Sequence, residues 1–464
     1  QGLYAGGIVT ASYALGAAGD EFWMQAGAPF EAVGMSVEDI FFKRFFDRYG
    51  IDADFEQRQD YKNAVNPYLY DDYTPAHREA QLSWMGSIYR SSLVNAAAER
   101  KLDPEAMVAA IEGGPWSAQQ AVERRLIDRV GQVREASDAL LAKAGKNAKL
   151  IDFDDYTAPS DSGSGETIAV IGAEGAIMTG NGENGSPFGG EQMVWSDQVA
   201  KALYEAAEDR NVKAIVFRVS SPGGSDTASE QILAAVQAAR KAGKPVVVSM
   251  GTYAASGGYW ISSQADSIVA QPATLTGSIG VYGGKFALGD ALGRLGVDVR
   301  GTSVGGDYAG AFGMDETFNQ GQKAAFSGWM DTIYEGFVQR VAQGRKMSPD
   351  KVRELAKGRV WTGAQARQLG LVDRLGGFYD AVEEAKRLAG VKGEVKLKVF
   401  GGVRSPFEAL ERFFGVSSAS LKTLAAAAWV FGDPRAEAAM DRLAEARLRD
   451  HGATVLAPRT ELGR

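Results

Sequence analysis

A serine and a lysine are the side chains of this chain whose surroundings best suit hydrolytic chemistry. Ser256 lies in the sequence Ala-Ser-Gly-Gly-Tyr, and Lys62 lies in Asp-Tyr-Lys-Asn-Ala. A serine hydroxyl is a poor nucleophile until a base removes its proton. Lysine can act as that base if burial lowers its pKa from about 10.4 towards neutrality, and Asp60 would oppose this shift if it approached the amine. The two residues indicate a candidate Ser-Lys dyad.

Backbone amides near Ser256 could stabilise a negatively charged intermediate. Gly257 follows the serine at the start of a predicted helix, and Gly224 lies in a second glycine-rich turn, Ser-Pro-Gly-Gly-Ser. Glycine lets a substrate carbonyl approach the backbone, and a helix N-terminus favours negative charge. We expect the amides of Gly257 and Gly224 to form an oxyanion hole. Ser278, in Thr-Gly-Ser-Ile-Gly, is a further hydroxyl that could hold the lysine in place.

Each of these residues also has a structural interpretation without catalysis. Ser256 could be only the N-cap of the helix that follows it. The Ser-Pro-Gly-Gly-Ser sequence could be an ordinary turn, and Lys62 could be a solvated surface group. The combination of two glycine-rich turns with the lysine favours the catalytic interpretation.

Residues 166–280 predict the elements that position these groups. Apolar runs typical of buried strands alternate with helical patterns, at 167–171, 196–209, 214–219, 226–242 and 245–249. Such alternation implies a parallel sheet with right-handed crossovers, in which functional groups gather at the carboxyl ends of the strands. Both glycine-rich turns directly follow predicted strands.

The chain carries one pattern twice. Adding 245 to a residue number maps Trp84 onto Trp329 and Asp128 onto Asp373. A shared period over this length marks duplicated units. The Tyr-Lys sequence occurs only in the first copy, where Ala309 is the counterpart of the lysine, and Ser-Gly-Gly occurs only in the second.

The repeat predicts four segments along the chain. An N-terminal repeat carrying the lysine spans 1–150, a linker spans 151–165, a C-terminal repeat carrying the serine spans 166–400, and a helical C-terminal extension spans 401–464. Residues 166–250 have almost no counterpart upstream, so we expect the first repeat to be truncated. The natural protein should then extend by roughly 80 residues or more before this sequence.

Composition excludes several classes of function. The 464-residue chain has a net charge of −8 and no basic stretch, which argues against binding to nucleic acid. It has no cysteine, so disulfides, thiolate metal sites and a cysteine nucleophile are excluded. The two histidines are expected to be solvated surface groups, and no cofactor is expected. No apolar run is long enough for a transmembrane helix.

These motifs resemble the bacterial signal peptide peptidase A (protease IV) family in its long, duplicated form. The matching stretches are 61–67, 221–225, 253–260 and 274–281, and the similarity covers most of residues 1–400. The resemblance implies an α/β fold with two tandem crotonase/Clp-protease-like repeats, the first one truncated at its N-terminus.

The same resemblance assigns roles to the residues of the candidate site. It implies a serine endopeptidase with Ser256 as the nucleophile, Lys62 as the general base and Ser278 orienting the lysine. The oxyanion donors would be Gly257 and Gly224.

The resemblance also implies substrates, partners and a location. Such enzymes degrade cleaved signal peptides and other apolar extended peptides, and they assemble with themselves, here as a homotetramer. The location implied is the periplasmic side of the bacterial inner membrane, held there by an anchor that is not in this chain. We further expect Ala254, Ala255 and Tyr259 to line an apolar peptide groove.

Two other functions remain open from the sequence. An acyl-CoA hydratase or isomerase of the same fold would use the glycine turns for a thioester, with Glu230 or Asp226 as the acid or base. A non-catalytic scaffold that binds peptides would need neither the serine nor the lysine.

Overall fold

The computed structural model describes residues 2–151, 165–182 and 193–401, and all of them belong to one compact unit, Gln1–Gly401. The predicted linker at 151–165 and the C-terminal extension at 401–464 therefore lie almost wholly outside the described residues. The division of the remaining chain into two repeats at about residue 150 stays a prediction.

Residues 2–151 form short strands and helices, with a 3₁₀ turn at Asn63–Val65. In chain order the elements are β1 (Gly2–Ala5), β2 (Ile8–Val9), α1 (Thr10–Gly16), β3 (Glu21–Gln25), β4 (Pro29–Glu31), α2 (Lys43–Tyr49), β5 (Asp52–Gln57), α3 (Asn66–Leu69), α4 (Pro75–Arg100), α5 (Pro104–Glu112), β6 (Trp116–Ser117), α6 (Ala118–Glu123), β7 (Arg129–Gly131) and α7 (Val133–Ala144).

The described residues beyond 165 alternate strands and helices, with a second 3₁₀ turn at Asp307–Gly310. In chain order they are β8 (Glu166–Glu174), β9 (Ala176–Met178), β10 (Met193–Trp195), α8 (Ser196–Glu208), β11 (Val212–Ser221), α9 (Asp226–Lys241), β12 (Val246–Ala255), α10 (Gly257–Ser262), β13 (Ser267–Ala270), β14 (Leu275–Gly277), β15 (Tyr282–Ala287), α11 (Gly289–Gly293), α12 (Gln320–Arg345), α13 (Pro349–Leu355), β16 (Val360–Thr362), α14 (Gly363–Gln368), β17 (Arg374–Leu375), α15 (Phe378–Ala389) and β18 (Val395–Phe400).

The largest sheet among the described residues has eight strands and carries both glycine-rich turns. Its order is β16-β14-β12-β11-β8-β18, and β13 pairs with β12 and β17. All of these pairs are parallel except β14 with β16. The parallel arrangement predicted from the alternating pattern is confirmed.

The sheet is covered on both faces. Alternate residues of β11 belong to two different apolar clusters, with Phe217 packed among residues of α8 and α9 and Val216 among residues of α15. A parallel strand with two buried faces needs a continuous apolar run rather than an alternating one. This requirement explains the unbroken Ala-Ile-Val-Phe sequence in β11.

The order of elements before residue 151 recurs later in the chain. Helices α4 and α12 each have 26 residues and are offset by 245. Strands β1, β3 and β7 form a parallel sheet, and β12, β13 and β17 are paired in the same way. Likewise β4 is antiparallel to β6, as β14 is to β16.

One antiparallel strand pair joins the earlier and later parts of the chain. Strand β5 pairs with β15 along its whole length, from Asp52 opposite Ala287 to Gln57 opposite Tyr282. The next residue, Arg58, donates its amide hydrogen to the carbonyl of Val281 at 2.9 Å. This pairing brings the chain that leads to Lys62 against the loop between β14 and β15.

Within the three described ranges, we find no helix with the length and apolarity needed to cross a membrane.

Candidate active site

Ser256 lies at a sharp turn between β12 and α10. Its φ and ψ are 54° and −120°, a conformation uncommon for a residue with a side chain and often retained at functional turns. The turn is held because the Ser256 amide donates to the carbonyl of Gly277 at 2.9 Å. The hydroxyl makes no capping hydrogen bond to α10, so it is not used as an N-cap.

The hydroxyl of Ser256 instead contacts the amine of Lys62. Lys62 Nζ donates to Ser256 Oγ at 3.0 Å, to Ser278 Oγ at 2.9 Å and to the Ser278 carbonyl at 3.1 Å. Three acceptors match the three hydrogens of a lysine ammonium group. The structure therefore brings together three residues singled out in the sequence, from positions 194 and 216 residues apart.

Burial lowers the pKa of Lys62 from 10.5 to about 7. The side chain is only 4% exposed, and desolvation disfavours the charged ammonium. No carboxylate, including that of nearby Asp60, contributes to this shift. A large fraction of Lys62 is therefore a neutral amine, able to accept a proton, at neutral pH.

Ser278 is the third member of this cluster and is also held in a left-handed conformation, with a φ of 49°. It follows β14, which pairs with β12 through Ala255 opposite Gly277. The Ser278 amide donates to the carbonyl of Arg359 at 2.7 Å. Its side chain is 8% exposed, so its hydroxyl faces the lysine rather than solvent.

The two predicted oxyanion donors are neighbours. A Cβ built on Gly257 would lie 3.2 Å from the backbone nitrogen of Gly224 and only 2.7 Å from Ser229 Oγ, so the close packing requires glycine here. Ile177 bonds to the Gly223 carbonyl and the Ser225 amide, which leaves the Gly224 amide between them unused. Among the described residues, the amides of Gly224 and Gly257 have no protein acceptor.

The predicted groove residue Tyr259 is placed differently from our expectation. It is fully buried, and its hydroxyl donates to the Leu371 carbonyl at 2.8 Å. Its position on the inner face of α10 directs the ring into the core. Ala254 is also fully buried. The expectation that these two residues line a peptide groove is therefore wrong.

His77 also departs from the expectation of a solvated surface group. It is half-buried in α4, its ring centroid is 5.0 Å from that of Tyr73, and burial lowers its pKa. Its Nδ1 atom is buried with no hydrogen-bond partner among the described residues. His451 lies outside the described residues.

Glu230, one of the two carboxylates proposed for acyl-CoA chemistry, is already engaged. Glu230 accepts hydrogen bonds from the guanidinium of Arg340 and, at 3.0 Å, from Trp260 Nε1. These bonds hold the pKa of Glu230 below its usual value although burial opposes them. A carboxylate held by these bonds is poorly suited to act as an acid or base.

One segment without a recognised sequence signal touches both Lys62 and Ser278. Residues 357–359, which we call the bridging segment, join α13 to β16. Gly358 packs directly against the backbone of Lys62, because a Cβ at Gly358 would lie 2.6 Å from the Lys62 nitrogen. The Lys-Gly-Arg sequence here carries no recognisable motif. The one signal near it is the 245-residue repeat, because α13, which ends just before this segment, begins 245 residues after α5.

Comparison with known proteins identifies relatives of the chain. It is 36% identical over 393 residues to Protease 4 of Salmonella typhi, covering 82% of this chain and 62% of that protein. It is 31% identical over 416 residues to Protease 4 of Haemophilus influenzae, covering 86% and 66%. A chloroplastic serine protease SPPA of Arabidopsis thaliana is 29% identical over 392 residues, covering 82% and 57%. The chain thus spans less than two thirds of the length of each relative.

Solved structures give weaker similarity. A variant of 1510-N, a membrane-bound stomatin-specific protease, matches with a TM-score of 0.31 and 15% identity, covering 51% of this chain and 98% of that chain. A variant of ClpP1 from Listeria monocytogenes matches with a TM-score of 0.29 and 13% identity, covering 46% and 94%. Scores this low carry no argument about the fold.

A protein-family match covers most of the chain. The model of peptidase family S49 matches residues 3–148 and 238–392. These two segments together span more than half of the chain, and they contain both Lys62 and Ser256. The chain therefore belongs to peptidase family S49.

Proposed function

We propose that this chain is a serine endopeptidase that uses Ser256 as its nucleophile and Lys62 as its general base. The observation that carries the proposal is the 3.0 Å distance between Lys62 Nζ and Ser256 Oγ in a site that lowers the pKa of the lysine to about 7. Membership of family S49 and relatives described as Protease 4 and as a serine protease support it.

The proposed reaction is acyl transfer. Neutral Lys62 takes the Ser256 proton as Oγ attacks the carbonyl carbon of a peptide bond. The carbonyl oxygen becomes an oxyanion, which the amides of Gly224 and Gly257 stabilise. The resulting ammonium gives its proton to the leaving amine, and water, deprotonated by the same lysine, releases the acyl group.

Ser278 is proposed to orient the base. Its hydroxyl and its carbonyl each accept a hydrogen bond from Lys62 Nζ, at 2.9 and 3.1 Å. These two bonds direct the third position of the nitrogen towards Ser256. The lysine then has little freedom to leave the nucleophile between the two halves of the reaction.

The wider architecture is proposed to be two tandem crotonase/Clp-protease-like repeats. Support comes from the recurrence of elements at an offset of 245, such as α4 with α12 and α7 with α15, and from the two separate segments of the family match. In this proposal the first repeat supplies Lys62 and the second supplies Ser256.

The substrates are proposed to be apolar extended peptides, including cleaved signal peptides. A relative of Enterococcus faecium is described as a putative signal peptide peptidase SppA, which supports this substrate class. Self-association as a homotetramer and action at the periplasmic face of the bacterial inner membrane, by way of an anchor outside this chain, stay predictions from the family resemblance.

The test is hydrolysis of a fluorogenic apolar peptide by the 464-residue chain and three variants. Ser256→Ala and Lys62→Met are each expected to lower kcat by roughly 1000-fold or more, because nucleophile and base act as a unit. Lys351→Met is the matched control, since this exposed lysine pairs only with Glu354 in the described structure, and it should keep full activity. An unmutated chain that is inert on a broad peptide set, or an active Ser256→Ala, would overturn the proposal.

A further inference from the structure

The bridging segment, residues 357–359, contacts both arms of the proposed dyad through its backbone. The Tyr61 amide donates to the Lys357 carbonyl at 3.1 Å, which fixes the chain beside the lysine. On the other side, the Gly358 amide donates to the Ile279 carbonyl at 2.9 Å. The segment therefore lies between the loop that carries the base and the loop that carries Ser278.

The conformation of the bridging segment is unusual. Lys357 and Gly358 are both left-handed, with φ angles of 50° and 75°. A residue with a side chain adopts this conformation only at an energetic cost, so it persists where surrounding contacts impose it. The side chain that follows, Arg359, supplies contacts of this kind.

Arg359 is held on three sides. Its guanidinium carbon lies 4.9 Å from the ring centroid of Tyr61 and 4.4 Å from that of Trp361. Both terminal nitrogens donate to the carboxylate of Glu79, at 2.5 and 2.7 Å. A planar guanidinium that stacks on aromatic rings and binds a carboxylate with two bonds has one well-defined orientation.

Glu79 anchors this arrangement to the earlier part of the chain. It lies in the first turns of α4, and hydrogen bonds from Arg359 and, to a smaller extent, from Tyr61 lower its pKa. One and two turns further along α4, Ser83 and Ser87 bond to Gln365 and Thr362. The three α4 residues are spaced by four, so one face of the helix binds residues 359–365, from the bridging segment through β16 into α14.

We infer that Arg359 is a positioning residue, which fixes Lys62 relative to Ser256 by holding the bridging segment in place. Arg359 does not touch the reacting atoms. It acts through two links: its side chain packs on Tyr61, the neighbour of the base, and its carbonyl accepts the 2.7 Å hydrogen bond from the Ser278 amide. This inference rests on the proposed function and assigns a role to a residue outside the dyad.

The first test is the kinetics of Arg359→Ala on the fluorogenic apolar peptide. We expect kcat to fall by about 30-fold while KM changes by less than about 3-fold, because the variant disturbs the chemical step rather than peptide binding. Arg353→Ala is the matched control, since Arg353 also binds a carboxylate with two bonds, to Glu335 at 2.6 and 3.1 Å, but none of its bonds reaches the dyad loops. The control should keep kcat within about 2-fold.

The pH profile separates positioning from a general loss of stability. A less confined Lys62 admits water, and its pKa moves back towards 10.5. The acidic limb of the kcat/KM profile should therefore shift upward by about half a pH unit or more in Arg359→Ala. Arg359→Lys keeps the charge but not the two-bond, stacked geometry, so we expect it to restore folding without restoring kcat.

Glu79→Gln tests the same link from the other side and guards against misfolding of Arg359→Ala. It should shift the acidic limb in the same direction. The double variant should lose no more activity than the less active of the two single variants, because both substitutions act through one segment. Additive losses in the double variant, or an unshifted limb in folded Arg359→Ala and Glu79→Gln, would overturn the inference. An active Ser256→Ala would instead overturn the proposed function, so the two failures are distinguishable.

Discussion

The turn after β2 and the turn after β12 occupy corresponding positions, 245 residues apart, and each packs against a loop that follows a neighbouring strand. We call each turn with its loop a junction, the first after β2 and the second after β12. The contacts that join the turn to the loop differ between the two junctions. After β2, Thr10 Oγ1 donates to the Gly34 carbonyl at 2.6 Å and accepts from the Gly34 amide at 3.1 Å. Adding 245 gives Ala255 and Ile279, which have no hydroxyl. After β12, the corresponding turn and loop are joined by the backbone bond from Ser256 to Gly277 and, in addition, by Lys62, which contacts Ser256 and Ser278.

Under the proposed function, this difference teaches how a recurring arrangement of strands and helices can hold a reactive site at one position and not at the position 245 residues earlier. In the first junction, Thr10 joins the turn to the loop at Gly34 by its own side chain. No lysine takes part in these two bonds. The second junction has no hydroxyl at the two corresponding positions, and there the amine of Lys62 contacts both the turn and the loop. The amine then lies beside a serine, where burial can lower its pKa.

The largest expected effect is on the pH dependence of stability. The pKa of Lys62 is about 7 in the folded chain and 10.5 as the ordinary value. Between these values the unfolded chain binds more protons, so the free energy of unfolding contributed by this group rises with pH and gains about 5 kcal/mol overall. Below pH 7 the folded chain carries Lys62 as a buried, charged ammonium, so the full cost of burying that charge is present.

Lys62→Met should remove the cost of burying a charged amine, and with it the pH dependence that this group gives to the free energy of unfolding. The substitution also removes the contacts of Lys62 with the second junction. We expect the variant to be more stable than the unmutated chain at pH 7, by up to several kcal/mol, and the difference to shrink towards pH 10. Urea unfolding at both pH values measures it, with Lys351→Met as the control. Parallel pH dependence in the variant and the unmutated chain would show that the amine is not buried.

The next effect concerns the backbone amides beside Ser256, the proposed nucleophile. In Gly257→Ala, the new Cβ would lie 2.7 Å from Ser229 Oγ, so the start of α10 and its amide must move. We expect kcat to fall by roughly 100-fold, about 3 kcal/mol, as for loss of one oxyanion donor.

The counterpart of Gly257 in the first junction is Ser12, which sharpens the comparison. Ser12 Oγ accepts a hydrogen bond from the Val9 amide at 3.0 Å at the start of α1. Ser12→Ala should cost about 1 kcal/mol of stability through loss of this cap and leave kcat unchanged. Equal kinetic losses at both positions would remove the functional distinction between the two junctions.

An equally small effect is expected for Thr10, at the same junction without the lysine. Thr10→Val removes both hydrogen bonds to Gly34 and should lower the free energy of unfolding by about 1 kcal/mol, with kcat within about 2-fold of the unmutated chain. Thr10→Ser, which keeps the hydroxyl, should retain most of the stability. Thermal unfolding and peptide hydrolysis measure the two quantities. A large drop in kcat would mean that the first junction supports the site.

Much of the fold was predictable because its signals are local. The apolar runs of β8, β11 and β12 and the helical patterns of α8 and α9 depend on residues close in sequence, and continuous apolar strands between helices specify a parallel sheet. The glycine-rich turns follow these strands, so the placement of Gly224 and Gly257 could also be anticipated.

The remaining features depend on contacts between distant residues. The pairing of β5 with β15 carries Lys62 to Ser256, and neither strand has a distinctive alternation. The left-handed conformations of Ser256 and Ser278 come from the packing around them, since local preference favours glycine there. The burial of Tyr259 follows from which face of the short helix α10 meets the core, and six residues are too few for a periodic pattern to decide this.

The pairing of β5 with β15 has a consequence for synthesis of the chain. Under the proposed mechanism, the lysine emerges first and waits for a hydroxyl that lies 194 residues later. At roughly 5 to 20 residues per second, the interval is on the order of 10 to 40 seconds. A nascent chain without β15 lacks the strand that pairs with β5, so under the proposed mechanism hydrolytic activity would begin only after residue 287 has been synthesised.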